Sequence, residues 1–337
     1  MPALGASVVV RDRVVAASVV GVRKHGAPEP AQQHDRFHPG SVAKPVSVTL
    51  FARLVDQGFM RWDTAVQAMF PEIAARSRPE YRTVSIAQLV SHTSGMPYAP
   101  RTPEVEADKH GALAPDERRG YVLAALRDSP EAPPATKIIY GGGHIVVAHY
   151  VDELMGASFE EMMAGHVFGP LAMSTARFGS PATPGTTDSP WEHDMQGGRP
   201  RPIAPEREQF IQARSAAGRD LVMPMADLGK FAAVHLAGAR GRSTFLKPAT
   251  FAFLHAPLPP LNAGGSWMIG QGGWAKGKLL WHSGSTGRNF SLCHVVPAEE
   301  FAICVASNIA FDGIHARMDE LTQQIARHVQ AGRFGPR

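Results

Sequence analysis

Residues 38–58 read HPGSVAKPVSVTLFARLVDQG, and they place Ser41 and Lys44 three positions apart at the start of an apolar segment that ends at Gly58. The segment predicts a buried helix. Residues i and i+3 lie on one face of a helix, so the Lys44 amine can reach the Ser41 hydroxyl. A serine hydroxyl is a weak nucleophile until a neighbouring group takes its proton, and a lysine can take it only when burial lowers its pKa from about 10.4 toward neutrality. The stretch therefore predicts a nucleophile and its base.

The composition narrows the class of protein. The chain has 337 residues, 44% of them hydrophobic, which is enough for one large domain or two closely packed ones. Its 34 basic and 30 acidic residues are dispersed, which argues against nucleic-acid binding. No stretch reaches the ~20 apolar residues of a membrane span. We expect a soluble, cytoplasmic chain with no membrane partner, although an export signal removed from it would not be visible; the oligomeric state stays open.

The order of the elements predicts an α/β (α+β) fold. Strand-like segments open the chain and return from about residue 265, whereas helical segments fill the middle. We therefore expect an antiparallel sheet flanked by helices, built from residues 1–75 and 225–337, with a mostly helical insertion over 76–224 and the active site between them. Residues 179–209, rich in Pro and Gly, read as a long surface loop whose Trp191 is a candidate for contact with the substrate.

The two cysteines, Cys293 and Cys304, flank the sequence PAEE, which predicts a hairpin turn. A loop of two or four residues centred there would set them directly opposite one another. Two small buried apolar side chains are the favoured interpretation, and a cross-strand disulfide is the alternative.

Ser-x-x-Lys occurs roughly once by chance in a chain of this size, so the surrounding motifs decide its meaning. FHPGSVAKPVSVTLFARLVDQG resembles the nucleophile helix of the serine β-lactamase and penicillin-binding protein superfamily, in its class C branch. VSIAQLVSHTSGMP resembles that family's structural helix and turn, and FEEMMAGHVFGPLAMSTARFG and MADLGKFAAVHL resemble its later helices. Four matches in order cover nearly the whole chain and imply a β-lactamase/transpeptidase-like fold.

The resemblance also implies the remaining catalytic groups. The family's Tyr-x-Asn falls on Tyr140-Gly141-Gly142, so Tyr140 would shuttle a proton with Lys44, for which its pKa would have to be lowered from about 10. The family's Lys-Thr-Gly falls on His282-Ser283-Gly284. The backbone N–H groups of Ser41 and Ser285 would then form an oxyanion hole, and Gly284 would let the acyl group approach the strand.

Two departures from the family pattern bear on the substrate. Gly142 stands where an asparagine amide would hold a β-lactam side chain, and His282 replaces a lysine that would bind its carboxylate. Both changes are typical of the esterase-like members, of the family VIII carboxylesterase type. Arg288 is the basic residue that remains as a candidate for contact with substrate.

Other chemistries lack their sequence motifs. The Gly-x-Ser-x-Gly elbow, the phosphate-binding loop and His-Glu-x-x-His do not occur. His34 and His38 are four apart but precede the helix, so we place them at the surface or the edge of the pocket rather than in a metal site. We expect no cofactor and no metal.

The sequence thus predicts a serine hydrolase that cleaves a small-molecule carboxylic ester or simple amide through an acyl-enzyme on Ser41. Three alternatives stay open: a transacylase that moves the acyl group to an alcohol or amine, an enzyme acting on β-lactams or D-amino-acid peptides, and a non-catalytic binding module of the same fold.

Overall fold

A computed structural model describes residues 1–101, 114–207, 212–218, 220–258 and 263–334. Its strands are β1 (Ala3–Val10), β2 (Arg13–Gly21), β3 (Arg36–Phe37), β4 (Arg177–Phe178), β5 (Glu192–Gln196), β6 (Arg199–Ile203), β7 (Leu221–Pro224), β8 (Pro257–Leu258), β9 (Ala263–Gly264), β10 (Met268–Gln271), β11 (Lys278–Ser285), β12 (Phe290–Val296) and β13 (Phe301–Ser307).

The α-helices are α1 (Ala43–Asp56), α2 (Val66–Met69), α3 (Pro71–Ala75), α4 (Pro79–Arg82), α5 (Ile86–Val90), α6 (Ala114–Ala125), α7 (Gly143–Met155), α8 (Phe159–Met163), α9 (Met225–Ala239), α10 (Pro248–Leu254) and α11 (Ile314–Gln330). Single turns of 3₁₀-helix cover Gly40–Val42, Pro205–Arg207, Gln212–Ala217 and Pro297–Glu299, and a π-helical turn covers Ala164–Phe168.

The main sheet has the strand order β10-β11-β12-β13-β1-β2, and every neighbouring pair is antiparallel. All residues of β12 and β13 are buried because α9 packs on one face of the sheet and α11 on the other. Such two-sided burial explains why these strands read as continuous apolar runs rather than as alternating patterns. The predicted α/β fold with an antiparallel sheet flanked by helices is confirmed.

Helix α1 connects the sheet with the helical part of the chain. Eleven of its fourteen residues are buried, and it packs against α7, α8 and the turn 212–217. The turn 40–42 that precedes it packs on β11 and β12. The turn that carries Ser41, and the first turn of α1 that carries Lys44, therefore lie beside the sheet. The domain boundaries at 75/76 and 224/225 stay a prediction.

The segment 179–209 is more regular than the sequence suggested. The structure forms the antiparallel hairpin β5–β6 within it, where the Pro and Gly content had predicted a loop. The prolines of β6, at positions 200 and 202, are compatible with a two-stranded ribbon because an edge strand can lack ladder donors.

Cys293 and Cys304 lie directly opposite one another on β12 and β13 and form a disulfide, with 4.1 Å between their Cα atoms. The turn at 297–300 is the four-residue loop that the sequence allowed. Both side chains are buried as expected, but the favoured interpretation of two free thiols is wrong.

Candidate active site

Two glycines allow the nucleophile turn to approach strand β11. Gly40 has a φ of +51°, and a Cβ on it would lie 2.5 Å from the Ser285 nitrogen. A Cβ on Gly284 would lie 2.5 Å from the Ser41 nitrogen. Real Cβ atoms do not come so close to backbone, so both positions require glycine. The close approach places the backbone around Ser41 directly against the backbone around Ser285.

The side chain of Lys44 points at the nucleophile. Its Nζ donates to the Ser41 Oγ at 3.2 Å and to the Ala217 carbonyl at 2.9 Å. Lys44 is fully buried, and this desolvation lowers its pKa from 10.5 to about 7. A substantial fraction of Lys44 is therefore neutral at physiological pH, as a general base must be.

Tyr140 lies beside both Ser41 and Lys44. Its hydroxyl hydrogen-bonds the Ser41 side chain, and the Lys44 Nζ lies 4.5 Å from its ring centroid. Removal of the hydroxyl from water raises the pKa of Tyr140 above its usual value of 10, and the bond to Ser41 offsets this only in part. The expectation of a lowered tyrosine pKa is therefore wrong. Tyr140 therefore stays protonated at neutral pH and can pass a proton onward.

His92 supports Tyr140, and the sequence analysis missed it. Its ring stacks on that of Tyr140 with 4.4 Å between centroids, and its Nδ1 accepts a hydrogen bond from the Gly141 N–H at 3.2 Å. Its φ of +61° is rare for a residue with a side chain and is typical of functional sites. The sequence signal that could have identified His92 was its position in SHTSG, within one of the segments that resemble the family.

His282 lies in the site but carries no charge. It is 2% exposed, and its Nδ1 lies 2.7 Å from the Ser283 carbonyl oxygen. Burial, and then the proximity of Lys44, lower its pKa to about 3. The same two influences act on His92, whose pKa also lies well below its usual value. These imidazoles are neutral at pH 7 and cannot replace a lysine as a partner for a carboxylate.

Two cavities open at Ser41. One of about 250 Å³ is lined by Ser41, Tyr140, Met268, Trp281, His282, Ser283, Gly284, Ser285 and Phe290. The other, of about 270 Å³, is lined by Ser41, Tyr98, Tyr140, Ala217, Gly218, Ser285 and Thr286. Every lining side chain is uncharged at neutral pH. The arrangement can therefore hold two neutral groups on either side of a carbonyl at Ser41.

A serine hydroxyl beside a buried amine and a tyrosine, at the contact of two backbone segments, makes this site suited to acyl chemistry. A family model described as Beta-lactamase matches residues 1–327 of this sequence. The chain belongs to the β-lactamase family.

Its relatives within and around this family have several activities. Penicillin-binding protein 4 of Amycolatopsis lactamdurans is 27% identical over 81% of this chain and 72% of its own length. Lovastatin esterase of Penicillium rubens is 22% identical over 45% of this chain and 42% of its own length. The structure of EstCE1, a hydrolase with promiscuous acyltransferase activity, superimposes with a TM-score of 0.78 at 19% identity, covering 97% of this chain and 93% of that one.

Three of the residues that the sequence proposed for contact with substrate line neither cavity. Gly142 is buried, and a Cβ on it would lie 1.7 Å from the Tyr121 hydroxyl, which already fills the space for a larger side chain. The Arg288 guanidinium pairs with Asp194 at 3.0 Å. The Trp191 ring packs under the Lys24 amine. The structure thus brings Ser41, Lys44, Tyr140, His282, Gly284 and Ser285 together, and leaves these three outside.

The described ranges lack the features of a metal site and of a membrane span. They contain no group of three or more His, Cys, Asp or Glu side chains that could hold a metal ion. No helix within them is long and apolar enough to span a bilayer. His34 is exposed, whereas His38 is buried with its Nδ1 3.0 Å from the Leu221 carbonyl oxygen.

Proposed function

We propose that this member of the β-lactamase family is a serine hydrolase that cleaves neutral carboxylic esters, or simple amides, through an acyl-enzyme on Ser41. The observation that carries the proposal is the 3.2 Å contact between Ser41 Oγ and the Lys44 Nζ, whose pKa is about 7. A buried lysine of low pKa beside a serine hydroxyl is expensive to maintain and is typical of an activated nucleophile.

The geometry supports the following sequence of steps. Neutral Lys44 takes the Ser41 proton as the Oγ attacks the carbonyl carbon, and the N–H groups of Ser41 and Ser285 hold the oxyanion. The Tyr140 hydroxyl passes a proton to the leaving alcohol or amine and is reprotonated through Lys44. Water then attacks the acyl-enzyme with the same groups acting in reverse, which releases the acid and restores Ser41.

The lining of the cavities supports neutral substrates. A β-lactam or a D-amino-acid peptide with a free carboxylate needs a cation near the nucleophile, but His282 is neutral and Arg288 is paired with Asp194. The space beside Gly142 is filled by Tyr121, so no amide can stand there to hold an acylamino group. These features disfavour both substrate classes.

The test compares release of nitrophenol from p-nitrophenyl butyrate by the wild type, Ser41→Ala and Ser18→Ala. Ser18 is an exposed serine of β2, so it controls for a serine-to-alanine change away from the site. Release should disappear only with Ser41→Ala. A p-nitrophenyl ester of succinic acid, which carries an extra carboxylate, should be a poorer substrate, and nitrocefin should not be cleaved. Equal release by wild type and Ser41→Ala would refute the proposal.

Acyl transfer is a second candidate. Two separate cavities share Ser41, so an acyl group in one leaves the other available to an alcohol. Adding benzyl alcohol to the butyrate assay should then yield benzyl butyrate at the expense of butyric acid. If the ratio of benzyl butyrate to butyric acid equals that of the uncatalysed reaction, acyl transfer is refuted and hydrolysis is the function that remains.

A further inference from the structure

The oxyanion-hole residue Ser285 is the last residue of β11, and the turn that follows it is held by side chains. The Ser285 hydroxyl donates to the Asn289 carbonyl at 2.6 Å and accepts from the Gly287 N–H at 2.9 Å. The Thr286 N–H donates to the Asn289 Oδ1 at 3.3 Å. The position of the Ser285 amide therefore depends on the conformation of residues 286–289.

One buried carboxylate, that of Glu192, accepts hydrogen bonds from two side chains of this turn. Glu192 is 7% exposed, and its Oε1 accepts from the Asn289 Nδ2 at 2.5 Å and from the Thr286 hydroxyl at 3.0 Å. The same oxygen lies 3.9 Å from the His38 Nε2, three residues before the nucleophile. Burying a carboxylate is costly unless hydrogen bonds compensate for the lost hydration, and here the amide donor and the hydroxyl donor both come from the turn.

Glu192 is itself fixed to the sheet. It opens β5, and its neighbour His193 bridges to Ile309, just after β13, and places its Nδ1 3.1 Å from the Asn308 carbonyl oxygen. The Asn308 Nδ2 donates to the Trp191 carbonyl at 3.0 Å. The carboxylate is thus presented from a strand that is hydrogen-bonded to the segment following β13.

We propose that Glu192 is a positioning residue that sets the oxyanion hole, by holding the turn 286–289 so that the Ser285 N–H points at the developing oxyanion. This inference rests on the proposed serine hydrolase function. It also assigns a role to the hairpin β5–β6. The hairpin carries the residue that holds the turn next to the oxyanion hole, rather than covering a pocket. Oxyanion stabilisation needs donors aimed to within tenths of an ångström, so a loosened turn should slow the chemistry more than it weakens substrate binding.

The test uses Glu192→Ala, Asn289→Ala and the double variant on p-nitrophenyl butyrate. Removal of one oxyanion donor costs ~100- to 1,000-fold in kcat, so misplacing one should cost about 10- to 100-fold, with KM within about threefold. Butylboronic acid forms a tetrahedral adduct on the serine hydroxyl and imitates the transition state, so its Ki should rise by the same factor as kcat/KM falls. Because both residues act on one turn, the double variant should be no slower than the slower single variant.

Asp194→Asn is the matched control. Asp194 lies on the same hairpin and pairs with Arg288 of the same turn, but the pair is one-third exposed and does not involve Ser285. Exposed pairs contribute little, so kcat should stay within about twofold of wild type. Titration of the nucleophile with a fluorophosphonate reports the fraction of folded active sites and separates slower chemistry from loss of structure.

The outcomes distinguish the positioning role of Glu192 from the proposed serine hydrolase function. If wild type hydrolyses the ester through Ser41 and Glu192→Ala has wild-type kcat and boronate affinity, the positioning role is refuted and the proposed function stands. If wild type shows no Ser41-dependent hydrolysis, the proposed function itself fails. Should Glu192→Ala not fold, Asn289→Ala removes only the amide donor and has the same expected result; unchanged kcat there also refutes the role.

Discussion

The pKa of Lys44 makes a quantitative prediction about the pH dependence of the reaction. A lysine with a pKa of 10.5 would be neutral in about 1 molecule in 3,000 at pH 7, whereas one with a pKa of about 7 is neutral in about half. If neutral Lys44 is the base, kcat/KM should rise about tenfold for each unit of increasing pH below pH 7 and should level off above pH 7. At pH 5 it should lie about 100-fold below the plateau.

The assay follows p-nitrophenyl butyrate hydrolysis from pH 5 to 9 at a wavelength where nitrophenol and nitrophenolate absorb equally. Lys44→Met should lower kcat/KM by about 100- to 10,000-fold on the plateau above pH 7, the range that general-base catalysis typically contributes. A midpoint above pH 9 would refute the reasoning and would instead favour Tyr140, whose pKa is raised. Activity of Lys44→Met within about tenfold of wild type would also refute it.

The same lowered pKa predicts an effect on stability. The unfolded chain binds a proton at Lys44 that the folded chain does not bind between pH 7 and 10.5, so the free energy of unfolding should rise with pH over that window. From pH 7 to 9.5 wild type should gain about 3 kcal/mol relative to Lys44→Met, measured by urea unfolding. At pH 7 or below, Lys44→Met should be at least as stable as wild type, because it removes a buried amine that is costly to charge.

Three further predictions concern the neighbourhood of the site. His92→Ala should lower kcat more than tenfold with KM nearly unchanged, and His92→Phe, which keeps the stacked ring, should lie between it and wild type; equal kinetics for all three would contradict a positioning role. Gly142→Asn should lower the thermal midpoint because its Cβ meets the Tyr121 hydroxyl, and adding Tyr121→Leu should restore part of the loss; a stable single variant would show that the ring moves freely. Iodoacetamide under denaturing, non-reducing conditions should leave Cys293 and Cys304 unmodified by mass spectrometry, and reduction should expose both; alkylation without reductant would exclude the disulfide.

Predictions from local pattern agree well with the structure. The spacing of Ser41 and Lys44 needs only one helical turn to bring the hydroxyl and the amine together, and the turn 297–300 needs only its length to set Cys293 against Cys304. The strands of residues 265–307 follow from their apolar runs for the same reason. Each of these relations spans about a dozen residues or fewer, within reach of backbone periodicity.

The inferences that failed depend on residues distant in sequence. The proposed role of Gly142 could not anticipate the Tyr121 hydroxyl, which arrives from the neighbouring helix α6 and fills the space beside it. The Pro and Gly content of 179–209 indicated a loop because it carries no sign of the parallel bridge from His193 to Ile309 that organises the hairpin. Trp191 and Arg288 were assigned to substrate contact by residue type alone. Tertiary packing instead places Trp191 against Lys24 and pairs Arg288 with Asp194.

The sequence by itself determined the class of fold, through the periodic burial of its segments, and singled out Ser41 and Lys44 as candidate nucleophile and base, through their spacing and the motifs around them. The tertiary structure alone decided whether that lysine could act as a base. Its pKa falls to about 7 because helices and turns from across the chain exclude water from its amine, and desolvation is a property of the assembled core rather than of any segment. The same is true of Glu192, which reaches Asn289 across 97 residues of sequence and becomes part of the site only when the chain has folded.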